Sequence, residues 1–131
     1  MKRNEAREQA FVLLFGECFN SEQSAEELVE NAALAGEYEN DDYTLALLNG
    51  VKENKEQIDA EIAAKLTKWK LGRLPKTTLA ILRIGVYEIL FCEDVPDSVA
   101  INEAVELAKR FGSEKDYVFI NGVLGNIARS K

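Results

Sequence analysis

Three cations stand within the first seven residues: Lys2, Arg3 and Arg7. Arg3 and Arg7 are four apart, so on a helix they share a face. Positive charge at a helix N-terminus opposes the dipole, so the placement asks for a reason. Two fit. The cations are ordinary surface charge balanced by Glu5 and Glu8, or they hold phosphates. RNA binding pairs such cations with an exposed ring that stacks on an unpaired base. The rings on offer are Tyr117 and Phe119, near the start of the last expected helix. On spacing alone Phe119 reads as core rather than platform.

No other group of residues suggests chemistry. The chain has no histidine, which removes the commonest general base, the Ser-His-Asp triad, the Cys-His dyad and most zinc sites. Cys18 and Cys92 lie far apart in apolar runs, with no second cysteine at metal-ligand spacing. They read as two buried thiols of a reducing compartment. Glu103 and Glu106 share a helix face with Asn102 nearby, but no third acidic ligand joins them to hold a divalent cation. The glycines are scattered singly, and phosphate loops, dinucleotide signatures, nucleophile elbows and HExxH motifs are absent. The expectation is a binding protein and not an enzyme, with no catalytic residue, metal or cofactor.

The net charge of −7 first argues against nucleic acid, but its distribution does not. Eight acids and no base fall between Ser21 and Asp42, and the rest of the chain carries 16 bases and 15 acids. The acidity is thus one local patch, read as a solvated helix face and loop. No apolar run approaches the roughly 20 residues that span a bilayer. The N-terminal stretch, interrupted by Glu5, Glu8 and Glu17, lacks a small-residue cleavage site and reads as a mature helix. The expected location is the cytoplasm.

The elements that must position these residues are helices. Strand-like alternation is almost absent, and both prolines, Pro75 and Pro96, fall between helical stretches. The periodicity predicts helices over Asn4 to Phe19, Ser24 to Leu34, a segment beginning after Asp42, Lys55 to Lys68, Lys76 to Cys92, and two more after Pro96 and Ser113. Asn20-Ser21 ends the first. Its FVLLF segment is apolar nearly all round and predicts burial on several sides. Ser24 with Glu27, and Ser113 with Asp116, suit capping boxes. Asp97 or Ser98 suits the cap of the sixth helix, and Gly112 its left-handed end. Gly36 stops the second. Gly85, in the middle of the most apolar helix, costs about 1 kcal/mol against alanine and predicts close approach of a neighbour. The segment from Trp69 to Pro75 reads as a hinge. The fold class is all-α: about seven helices in two small bundles around a central apolar helix. Residues 1–131 form one domain, with halves at 1–68 and 75–131.

One stretch is specific. VPDSVAINEAVELAKRFG (Val95 to Gly112), followed by FINGVL (Phe119 to Leu124), strongly resembles the NusB family of bacterial transcription antitermination factors. Ala6, Arg7 and Ala10 near the start, WKLGRL before the central helix, and AILRIGVYEIL (Ala80 to Leu90) agree in order. The resemblance implies an all-α fold of two helical bundles. It implies a partner, the ribosomal protein NusE, and joint binding of single-stranded boxA RNA of ribosomal RNA leaders within the transcription elongation complex. It points to Lys2, Arg3, Arg7, Lys115 and Phe119 as RNA-contacting residues, and to Phe15 and Thr78 as partner-facing ones. It brings Phe119 level between core and platform.

Two departures stand out. Asn4 and Glu5 occupy places where many relatives carry more arginine, which implies a smaller phosphate footprint. Thr78-Leu79 stands where relatives often pair an acid with a base. The expected assembly is a monomer or weak homodimer. Two other readings accompany this one: a protein-only adaptor or self-associating scaffold, and a fragment of an RNA methyltransferase whose N-terminal domain is similar.

Overall fold

A computed structural model describes residues 1–19, 23–68 and 70–131. Among these are seven α-helices and a single 3-10 turn, with no strand. The helices are α1 (Arg3–Glu17), α2 (Ala25–Leu34), α3 (Asp42–Glu53), α4 (Lys55–Lys65), α5 (Lys76–Phe91), α6 (Asp97–Phe111) and α7 (Glu114–Ser130), and the turn is Leu71–Arg73. The expected stop at Asn20-Ser21, Glu22 of the acidic run, and Trp69 of the hinge lie outside the described residues.

Local chemistry sets most helix ends. The Ser24 hydroxyl accepts from the Glu27 N–H at 3.1 Å and caps α2. Gly36, at φ 75°, ends it. The Gly36 N–H donates to the Ala33 carbonyl and the Glu37 N–H to the Ala32 carbonyl, which is a Schellman motif. Asp41 caps α3, its Oδ1 accepting from the Tyr43 and Thr44 N–H groups at 2.9 and 3.0 Å.

Two expected ends are corrected. Asp97 and Ser98 do not cap α6, because Pro96 occupies the cap position and Asp97 is the first helical residue. A Pro96 cap fixes the entry without a side-chain acceptor, and Asp97 accepts from the Lys131 ammonium instead, at 2.8 Å. Gly112 is not left-handed, with φ −126°. A Cβ there would meet Asp116 Oδ2 at 2.9 Å and the Ala108 carbonyl oxygen at 3.1 Å. Space, not backbone freedom, requires the glycine.

The chain divides into two compact units, residues 1–53 and 54–131. The division falls ahead of α4, whereas the hinge expected from sequence lies after it. In the first unit α1, α2 and α3 pack on one another. Ala6 and Ala10 are fully covered, and small residues there let α3 approach α1. Phe11, Leu14, Leu28, Leu47, Leu48 and Val51 fill the core. Polar ties fix the geometry. The Thr44 hydroxyl donates to the Ala6 carbonyl at 3.1 Å. The Gln9 amide donates to the Glu39 carbonyl at 2.9 Å and accepts from its N–H at 2.8 Å, pinning the connection into α3. Lys52 pairs with buried Glu17 at 2.9 Å. The expectation that FVLLF is buried on several sides is corrected. Phe11 and Leu14 are covered, but Val12 is 50% exposed, because α2 and α3 together cover only part of the helix circumference.

In the second unit α5 packs against α4, α6 and α7. Every residue from Thr78 to Val86 is buried. Gly85 faces Leu124 of α7, whose Cδ1 lies 2.7 Å from where a Cβ would stand. The close approach expected at this glycine is present. Beside buried Glu88, Arg83, 7% exposed, is a charge that α5 carries into this packing. Its Nε and Nη2 each reach one oxygen of Asp59 on α4 at 2.9 Å, a two-pronged pair.

Removing one partner of such a pair takes both of these hydrogen bonds from the other charge, and for a buried pair costs about 3–5 kcal/mol. Asp59→Ala should therefore lower stability by about 3 kcal/mol in urea unfolding. The double variant Asp59→Leu/Arg83→Met should regain most of that. A double variant as unstable as the single one contradicts the account.

Candidate nucleic-acid interface

The residues singled out by sequence gather in two places, one in each unit. In the first, Lys2 occupies the N-cap of α1, its backbone N–H donating to Glu5 Oε1 at 2.8 Å. Glu5 is therefore used locally, to hold the first turn. Lys2 and Arg3 are exposed. Arg7 is 4% exposed, so its guanidinium is offered to solvent far less than the other two charges. Both arginines approach one ring, Tyr43 in the first turn of α3. Arg3 Cζ lies over it at 4.2 Å from the centroid and Arg7 Cζ at 5.6 Å. Farther along α1 the Phe15 ring stacks on Phe11, centroids 6.0 Å apart, and meets the edge of Phe19 at 5.3 Å. Val12 and Phe15 follow i, i+3 spacing on α1, and exposed Phe19 lies just past its end, leaving apolar surface there.

The second place is at the start of α7. Phe119 and Lys115 line a pocket of about 350 Å³ with Arg73, Pro75, Thr78 and Asp116. Lys115 is exposed and Phe119 half-buried. Phe119 is thus on the pocket wall rather than in the core, where Ile120 and Val123 sit. The 3-10 turn carries Arg73 to the pocket's edge. Thr78 is 1% exposed. Its hydroxyl reaches Asp116 Oδ1 at 3.5 Å, a long contact. The other oxygen, Asp116 Oδ2, accepts from the Ser113 N–H at 2.7 Å and the Ser113 hydroxyl at 3.0 Å. The capping pair expected from the spacing is formed. It orients the turn that presents Lys115 and Phe119. Tyr117, the other candidate ring, lies 5.5 Å from the Lys109 ammonium.

Sequence reasoning missed Tyr43 and Arg73. Tyr43 directly follows the acidic run, and nothing in its spacing relates it to Arg3, some forty positions away. Arg73 sits in a break between helices, where periodicity carries no signal. The acidic residues Glu26, Glu27, Glu30, Glu37 and Glu39 are exposed, as a solvated face requires. Among the described residues no three metal-ligating side chains converge, and no helix is long and apolar enough to cross a membrane.

Known proteins resemble this chain closely. The family profile described as NusB matches residues 4–129. The transcription antitermination protein NusB of Clostridium novyi is 46% identical, over 99% of this chain and 100% of the relative. The solved structure of T. maritima NusB superposes with a TM-score of 0.86 at 34% identity, covering 98% of this chain and 92% of that one. A crystal structure of the antitermination factors NusB and NusE in complex with double-stranded RNA matches with a TM-score of 0.85 at 27% identity, covering 98% and 97%.

Loss of the Asp116 carboxylate should loosen the first turn of α7 and the pocket with it. Asp116→Ala is expected to cost about 1 kcal/mol, the usual size of a lost helix cap, while Asp116→Asn keeps an acceptor and most of the stability. Equal melting temperatures for Asp116→Ala and the wild type would contradict this role.

Proposed function

The chain belongs to the NusB family, and we propose that it is a transcription antitermination factor that binds single-stranded boxA RNA of ribosomal RNA leaders together with NusE. It works by binding, without catalysis, in the bacterial cytoplasm as part of the elongation complex. The observation that carries the proposal is the pocket at the start of α7, which Phe119 lines together with the cations Arg73 and Lys115. A ring and cations lining one pocket suit an unpaired base attached to its phosphates. The likeness to a NusB–NusE complex with RNA supports the same partners.

Lys2, Arg3 and Arg7 supply positive charge in the first unit, with Arg7 held beneath the surface. Few cations are involved, so affinity for RNA alone is weak and the partner is needed. The partner face takes Phe15 with Val12 on α1 and Phe19 just past its end. Thr78 acts through Asp116, since its own surface is covered.

Fluorescence anisotropy tests the reading. A boxA-like RNA should bind an equimolar mixture of this protein and NusE more tightly than either alone, and rising salt should weaken binding. Phe119→Ala should lower the affinity about fivefold or more, the loss of one stacked base, whereas Phe119→Tyr should stay near wild type. A mixture with no preference for boxA over a scrambled RNA sinks the proposal.

A further inference from the structure

From Ile62 to Tyr87 the chain carries six bases and no acid. Two of the six have a use inside the fold. Arg83 pairs with Asp59, and Lys65 stands in the last turn of α4, where a cation suits the helix dipole. The other four are Lys68, Lys70, Arg73 and Lys76, and all are exposed. Among the described residues no ion pair engages them.

The fold gathers these four on the connection from α4 to α5. Lys70 stands at the cap position of the 3-10 turn and Arg73 ends it, the Arg73 N–H donating to the Lys70 carbonyl at 2.9 Å. Buried Leu74 anchors the turn. Pro75 then takes the cap position of α5, and Lys76 is its first residue. A lysine there adds to the positive end of the dipole, and no acid stands in that first turn to offset it. Like charges this close repel one another, so the arrangement suits an anion brought from outside.

The surroundings decide which anion. Arg73 also lines the pocket of Phe119 and Lys115, so the connection adjoins the candidate base site. A strand whose base enters that pocket has further phosphates to place on a neighbouring surface. Three of the four cations are lysines, compact charges on flexible stems, which suit a flexible polyanion. The apolar anchors of a protein interface are not on offer. Leu66 and Leu71 are half-buried and Leu74 is buried.

We propose that Lys68, Lys70 and Lys76, joined to the pocket through Arg73, form a phosphate-binding strip for the backbone of a single-stranded RNA that leaves the Phe119 pocket. The strip holds phosphates and reads no base. This inference rests on the RNA-binding reading above, and it adds to the few cations named there three that lie outside the pocket.

The test uses the full-length protein with NusE and a fluorescein-labelled boxA-like RNA. It compares wild type with the triple variant Lys68→Gln/Lys70→Gln/Lys76→Gln, which keeps Arg73. The variant should melt at or above the wild-type temperature, since three repelling charges are gone. Its plot of log affinity against log salt should be shallower by about 2, roughly 0.7 for each of three phosphate contacts. At low salt its affinity should fall about tenfold or more. Its preference for boxA over scrambled RNA should equal that of wild type. RNAs with one uncharged methylphosphonate linkage at each position in turn locate the strip. Linkages on one side of the base that Phe119 holds should weaken wild-type binding and leave the triple variant unaffected. That base is the one whose removal no longer weakens binding in Phe119→Ala.

An unchanged salt slope in the triple variant overturns the strip and leaves the RNA-binding reading intact. So does weaker binding of labelled NusE in the absence of RNA, which would assign the lysines to the protein partner. A lower melting temperature would assign them to the fold and overturns the strip as well. A wild-type complex with no preference for boxA over scrambled RNA overturns both readings.

Discussion

A helix covered along its length must find a partner for every charge it carries, and α5 sets that demand for the second unit. From Thr78 to Val86 every residue is buried. Its apolar side chains supply the core, but Arg83 enters the same environment. The two-pronged pair with Asp59 answers this and at the same time fixes α4 against α5. Gly85 answers a second demand, for space, by letting Leu124 of α7 close in. Once α7 is seated, its first turn is placed as well. The cap between Ser113 and Asp116 then fixes where Lys115 and Phe119 point. The candidate pocket is therefore the exposed end of a chain of constraints that begins inside the unit.

The first unit solves a different problem. It has fewer covered side chains and relies on polar ties to hold its helices in register. Gln9 closes both hydrogen-bonding groups of Glu39, and Thr44 closes on Ala6. These ties secure the connection that leads into α3, and so secure Tyr43 beneath Arg3. The strong acidity of the chain does not oppose RNA binding here. It is carried by exposed residues of α2 and the segment after it, while Lys2 and Arg3 stand on α1.

Much of this was legible in the sequence. Long apolar periodicity gave seven helices because packing of amphipathic faces, not local propensity, decides helix formation in proteins. The caps at Ser24 and Ser113 were readable because their partners lie three residues away. Gly85 was readable because a glycine inside an apolar helix needs a steric reason. What escaped depends on contacts distant in sequence. Asp59 and Arg83 find each other across 24 positions, Thr78 and Asp116 across 38. Tyr43 and Arg3 meet for the same kind of reason. Gly112 was misjudged because a glycine after a helix is usually there for its backbone freedom, and here a neighbouring carboxylate and carbonyl leave no room for a Cβ. Arg7 matched the family pattern in type and place and Thr78 in place alone, yet burial is a property of the fold that a motif does not carry.

The central claim is that RNA meets this protein at the N-terminal cations of the first unit and at the Phe119 pocket of the second, and leaves the exposed acids of α2 and the segment after it untouched. Hydrogen exchange of the complex with NusE, read by mass spectrometry with and without boxA RNA, tests it most directly. The account predicts slower exchange on adding RNA in peptides spanning residues 1–7 and 113–119, with residues 26–39 unchanged. Protection confined to residues 26–39, or spread evenly over all helices, would contradict it.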